Sequence, residues 1–139
     1  VPIDRRSYVP AYRQVADDLR ERIRHGELAP GQQLPGEDRL ASQYDVGKDT
    51  IRDALQVLRT EGLIRTVWRR GSWVRAQPTR SRMEVRGPAR VSARMPTPEE
   101  RQEHDLDEGV PVLVVERDGR VEVLPSDRVE LDLPGAHEA

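Results

Sequence analysis

Cysteine is absent from the 139-residue sequence, which rules out disulfides and thiolate metal sites. Phenylalanine is absent too, and aromatic residues make up only 4% of the chain. A core with so few rings is thin, so two small domains cut from this chain would each need support from the other or from a second subunit. The three histidines, His25, His104 and His137, are too scattered for a metal site and read as solvated or edge side chains. No cofactor is expected. No apolar run reaches the ~20 residues of a membrane span. No basic region followed by an apolar one opens the chain, so no secretory signal is read. The expectation is a soluble, cytoplasmic protein.

Catalytic machinery is missing as well. Ser72, Ser81 and Ser126 have no base at motif spacing, and there is no glycine-rich phosphate loop. The chain does not read as an enzyme. Its net charge of −2 does not announce a nucleic-acid binder either. The distribution says more. Residues 1–80 hold 15 basic against 11 acidic side chains, and residues 81–139 hold 8 against 14. A basic first part before an acidic second part is compatible with a DNA-binding head and a non-DNA tail.

Among what is present, the stretch Gly47 to Gly62, GKDTIRDALQVLRTEG, organises the rest. Ile51, Ala54, Leu55 and Leu58 fall at the spacing of a buried helical stripe. Lys48, Asp49, Thr50, Arg52 and Gln56 lie at its start or off that stripe. Such a helix suits the DNA major groove, although a surface helix of an ordinary domain has the same pattern.

Its flanks discriminate. Val1 to Val9 reads as an extended arm without apolar periodicity. Pro10 opens a helix over 11–25 with an inward stripe of Tyr12, Val15, Ala16, Leu19 and Ile23, closed by Gly26. The connector ELAPGQQLP turns at Pro30-Gly31 and anchors in the core through Leu28 and Leu34. A short helix over 36–44 buries Leu40 and Ala41 and carries Glu37 and Asp38 in its first turn, where the dipole favours acids. A tight turn plugged by Val46 leads to the organising helix, so the pair reads as helix-turn-helix. Residues 63–67 and 73–74 read as strands around a basic tip, Arg69 and Arg70, with Gly71 permitting the bend. Helices plus hairpin make a winged helix-turn-helix. Trp68 and Trp73 are expected to cover the wing against the helices.

Residues 77–88, with Pro78, Gly87 and Pro88, read as a linker. Beyond it a small unit over 89–133 is expected, mainly β with one short helix. Its signals are a strand at 90–95, a Thr97–Glu100 capping box before a helix to about Leu106, and strong strand character at Val112–Glu116. Asp118-Gly119 marks a hairpin, with a return strand at 121–124 and a third at 129–133. Residues 134–139 read as a flexible tail. The predicted class is α+β: an arm (1–9), a winged helix-turn-helix (10–76), a linker (77–88), and a small α+β domain (89–133) that serves dimerisation.

The first half resembles the DNA-binding domain of the GntR family of bacterial transcription regulators. The residues that carry the likeness are Tyr12, Val15-Ala16, Leu19, Ile23, Gly26-Glu27-Leu28, Pro30-Gly31 and Leu34-Pro35. Leu40-Ala41, Tyr44, Val46, Thr50-Ile51-Arg52, Ala54-Leu55, Leu58, Glu61-Gly62-Leu63, Arg70-Gly71-Ser72 and Val74 continue it. The resemblance implies that the helix at 47–61 enters the major groove, with Lys48, Asp49, Thr50 and Arg52 at operator-contacting positions and Arg70 and Gly71 at the wing tip, beside Arg69. Arg52 suits a guanine or a phosphate, Lys48 either, and Thr50 a phosphate or a thymine methyl. Arg39 is a further phosphate contact. Three departures from the family stand out: Gly47 replaces the usual Ser or Thr cap, Asp38 a frequent Arg, and Arg69 a frequent Gly.

In the second half, ARVSARMPTPEE and GVPVLVVERDG resemble the opening of the effector-binding domain of the HutC-like branch. That domain is chorismate-lyase-like, binds small effectors and mediates dimerisation, and it needs well over a hundred residues. A truncated relative is read here, with effector binding lost. The resemblance implies a dimeric repressor of double-stranded operator DNA that reads an inverted repeat through the helix at 47–61 and the wing at 67–74. Two alternatives stay open: a winged-helix protein acting through protein contacts, and a regulator keeping an effector pocket at its dimer interface.

Overall fold

The computed structural model describes residues 3–76 and 79–134. The chain divides into two compact units, Val1–Ala76 and Gln77–Ala139. The first contains α1 (Ala11–Arg24), α2 (Glu37–Tyr44), α3 (Lys48–Thr60), β1 (Ile64–Val67) and β2 (Gly71–Val74).

Each helix buries one stripe. Val15, Ala16 and Leu19 of α1, Leu40 and Tyr44 of α2, and Ile51, Ala54, Leu55 and Leu58 of α3 converge on one core. Leu28, Leu34, Ile64 and Val74 complete it, with Val46 packed at its margin. The turn between α2 and α3 is sharp because Asp45 takes a left-handed conformation, φ 53°, which Asp tolerates better than most residues. Burial and a bond to Asp18 push the Tyr44 phenol up to about 12. Arg20 ties α1 to the end of α3 through Glu61, at 2.5 and 2.8 Å.

The connector between α1 and α2 does more than turn. The Gly31 amide donates to the Val74 carbonyl, the Leu34 amide to Ser72, and the Val74 amide to Gln32. It lies along β2 and supports the wing. The N-terminal arm is not extended over its described residues. It folds back because Gln14 captures it: the Asp4 amide donates to Gln14 Oε1 at 2.8 Å, and Gln14 Nε2 donates to the Asp4 and Val9 carbonyls. Arg5 donates to the Asp45 carbonyl at 2.5 Å, and Ile3 packs on the core.

The second unit contains β3 (Ser81–Glu84), β4 (Arg90–Arg94), α4 (Pro98–Glu103), β5 (Val112–Arg117), β6 (Arg120–Pro125) and β7 (Val129–Asp132). β4, β5 and β6 form an antiparallel sheet in that order. Asp118 and Gly119 both have positive φ, 52° and 73°, as a two-residue hairpin turn requires. Leu106, Val110, Val112 and Val114 form a small core with Val123 against it.

Two expectations are corrected here. The stretch expected as a linker holds β3, and its Val85 is buried. The strand expected to extend the main sheet, β7, instead pairs with β3 in parallel, Ser81 opposite Val129 through Glu84 opposite Asp132. Two short segments with half-empty ladders satisfy each other's backbone groups. Of the expected tail, residues 135–139 lie outside the described residues.

Thr97 and Glu100 form the capping box that starts α4. Arg94 donates to both Glu100 oxygens, at 2.7 and 2.9 Å. The Arg94 bonds, and then the Thr97 amide, hold the Glu100 carboxyl down at about 2 against an ordinary value of 4.5. A depressed carboxylate contributes stability above its unfolded value and loses it as pH falls through its folded value. Glu100→Gln therefore melts at a lower temperature than the parent at pH 7. The difference shrinks as the pH is taken from about 4.5 toward about 2, which calorimetry across that range checks.

Candidate nucleic-acid interface

The exposed start of α3 and the wing tip flank one cleft of about 560 Å³. The first turn of α2, including Arg39, lines it together with Lys48, Arg69, Arg70 and Gly71. Asp49, Thr50 and Arg52 lie on the same end of α3 outside that lining. Thr50 is half-buried, whereas Lys48, Asp49 and Arg52 are exposed. The first turn of α3 has no side-chain cap: Gly47 caps through its backbone alone. A Cβ placed on Gly47 would meet nothing within 4 Å.

The wing is braced against α3. Arg59 Nη1 donates to Thr66 Oγ1 at 2.9 Å, and Thr66 pairs across the strands with Ser72 at 2.8 Å. Arg75 Nη1 donates to the Gly62 carbonyl. At the tip, Gln33 Nε2 donates to the Arg70 carbonyl at 2.9 Å. Gly71 sits there at φ 121°, where an added Cβ would come within 2.8 Å of Gln33. Any other residue is strained at this φ. Arg69 also takes a left-handed conformation, φ 61°, a region that favours Gly.

The two basic groups at the start of α3 are ion-paired. Lys48 Nζ lies 2.6 Å from Asp38 Oδ1. Arg52 Nε donates to Glu37 Oε2 at 2.9 Å, and Nη1 reaches Asp49 at 3.4 Å. The Glu37 bond, then its charge, raises the pKa of the Arg52 guanidinium. Arg39 and Arg70 carry no ion pair among the described residues. Sequence reasoning took Glu37 and Asp38 as helix-dipole acids. It missed that the turn brings the first turns of α2 and α3 together, so these acids become partners of Lys48 and Arg52. Only the opposite charges at the two helix starts hinted at this.

Trp68 is the other miss. It is 79% exposed and does not cover the wing against the helices. The Arg69 guanidinium sits over its ring, 4.3 Å from the centroid. Trp73, which faces Arg65 across the hairpin and bridges to Gln33, is half-buried.

Three helices, the second and third joined by a tight turn, followed by a braced two-stranded hairpin, define a winged helix-turn-helix protein. Residues 11–74 match the model for bacterial regulatory proteins of the gntR family, so the winged helix-turn-helix is of the GntR type. Over 68 residues it is 38% identical to the mannosyl-D-glycerate transport/metabolism system repressor MngR of Escherichia coli (strain K12), covering 49% of this chain and 28% of that protein. It is 38% identical over 72 residues to the HTH-type transcriptional repressor NagR of Bacillus subtilis (strain 168), covering 52% of this chain and 30% of NagR. The chain thus spans about three tenths of the length of these curated relatives. A solved structure of YtrA from Sulfolobus acidocaldarius, a GntR-family transcription factor, superposes with a TM-score of 0.50 at 39% identity, covering 55% of this chain and 80% of that one. Among the described residues no helix is long and apolar enough to cross a membrane.

Proposed function

We propose that this protein is a sequence-specific double-stranded-DNA-binding transcription regulator, not an enzyme, and that it acts as a dimeric repressor. The observation that carries this reading is the single cleft bordered by the exposed start of α3, the first turn of α2 and the basic wing tip. α3 enters the major groove. Arg52 exchanges Glu37 for a guanine edge or a phosphate, and Lys48 does the same with Asp38. Thr50 serves a phosphate or a thymine methyl, and Asp49 accepts from a cytosine amino group. Arg39, Arg69 and Arg70 hold the backbone, and Gly71 lets the wing turn close to it.

The second unit pairs two copies so that an inverted repeat is read. The order β4, α4, β5, β6 supports descent from the effector-binding domain of the HutC-like branch. One hollow of about 640 Å³ lies open at the β5–β6 hairpin tip, lined by residues that include Pro88 and Val121. An effector site needs enclosing walls, so control by protein concentration rather than by a small molecule is favoured.

Selecting genomic fragments on the purified chain tests this reading. The expected result is one enriched inverted repeat, bound by a dimer, with affinity that falls steeply with salt. Arg52→Ala is expected to lose about 1–3 kcal/mol on that site and to relax one base position in each half. Failure to retain any duplex at low salt, together with a stable complex with another protein, would instead support a winged helix working through protein contacts. The pairing of Lys48 and Arg52 with acids is the observation that keeps that second reading in play.

A further inference from the structure

Trp68 is one of two tryptophans in a chain without phenylalanine, and it stands 79% exposed at the wing tip. A ring of this size is usually the largest apolar contribution a small domain can bury. Leaving it in water needs a reason. Its surroundings supply one. The Arg69 guanidinium carbon sits over the ring, 4.3 Å from its centroid. A stacked guanidinium keeps its N–H groups in its own plane, free to meet phosphate oxygens. The hairpin beneath is rigid, because Gln33 binds the Arg70 carbonyl and fills the space beside Gly71. Both residues line the cleft that Lys48 and Arg39 border. The surface around the exposed ring is therefore cationic and concave, which fits a polyanion better than an apolar protein partner.

We propose that Trp68 and Arg69 form a preordered clamp on the sugar–phosphate backbone of duplex DNA. The indole packs on a deoxyribose at the minor-groove edge while the stacked guanidinium pairs with a flanking phosphate. This rests on the DNA-binding reading above. The clamp reads no base, so its contribution is the same for every sequence. It fixes how far the wing reaches from α3, and so the register in which the α3 side chains meet base edges.

The test uses the full chain, two short duplexes of unrelated sequence at low salt, and two readouts: affinity and tryptophan emission. Trp68→Ala is expected to weaken binding roughly tenfold on both duplexes alike. Trp68→Phe keeps the ring and is expected to stay within about threefold of the parent. Saturating duplex quenches the emission of the parent but not of Trp68→Phe, whose remaining tryptophan is Trp73. That second comparison holds even if Trp68→Ala folds poorly. Unchanged emission on saturation overturns the proposal, and so does quenching with Trp68→Ala affinity unaltered on both duplexes. If the parent binds and Arg52→Ala weakens it while both Trp68 readouts stay silent, the clamp alone fails. If the parent binds neither duplex, the DNA-binding reading fails with it.

Discussion

Asp38→Ala should bind duplex DNA of unrelated sequence about tenfold more tightly than the parent near 0.1 M salt. Asp38 and Lys48 are 81% and 55% exposed at the side chain, so their 2.6 Å contact adds little to folding; exposed pairs contribute ~0–1 kcal/mol. Its consequence is electrostatic. Asp38 occupies one cation of the cleft and adds a carboxylate to its lining. Removing it frees Lys48 to displace a counterion and takes away a repulsive charge. Each additional neutralised phosphate steepens the salt dependence by roughly 0.9 in the logarithmic slope, so affinity measured at several salt concentrations checks both quantities together. Discrimination should stay the same in this variant, because the gain applies to every sequence while base contacts are unchanged. Equal affinities and equal slopes for the two chains would mean that DNA passes Asp38 at a distance.

The helices of the first unit were legible because their stripes are long and regular. Ile51, Ala54, Leu55 and Leu58 announce the buried face of α3 without help from neighbours, and Gly71 and the Asp118-Gly119 pair announce turns by their conformational needs. What escaped depends on distance through space. Ser81–Glu84 has no apolar alternation, and its partner Val129–Asp132 lies far along the chain. Nothing local reveals a parallel pair of that kind, and the neighbouring Pro and Gly argue for a linker. The engagement of Lys48 with Asp38 and of Arg52 with Glu37 likewise follows from the turn between α2 and α3. Each charge was visible, but the pairing was not. Trp68 was misplaced because a strand-end residue can face either side of a two-stranded hairpin, and a large apolar ring is usually assigned inward. The family resemblance could not correct that, since it speaks to positions 69 to 71 rather than to Trp68. The arm was missed for a similar reason: Gln14 lies off the buried stripe of α1, and its amide catches two carbonyls of a segment with no periodicity of its own.

Ile51→Ala should destabilise the first unit by about 2–5 kcal/mol. Ile51 is fully buried on α3 between Thr50 and Arg52, in the core that also takes Leu19, Leu40 and Leu58. That core contains no phenylalanine, and Tyr44 is the one aromatic ring counted among its buried members, so little is on hand to collapse into the space left behind. In a unit of this size each kcal/mol moves the midpoint by about 4–8 °C, so the transition should fall by at least about 8 °C. Every tryptophan and tyrosine of the chain lies before residue 77, so near-ultraviolet circular dichroism and tryptophan emission report this unit alone. Asp53→Ala, at an exposed position two residues along the same helix, is the control and should stay within about 0.5 kcal/mol. Ile51→Ala and Arg52→Ala are then expected to separate the two faces of α3. Below its lowered midpoint the Ile51 variant should still bind duplex, because its side chain faces the core and touches no DNA. The Arg52 variant should melt close to the parent and lose binding. If Ile51→Ala instead loses DNA affinity while fully folded, packing beneath α3 sets the position of the reading side chains, and the buried stripe contributes to recognition as well as to stability.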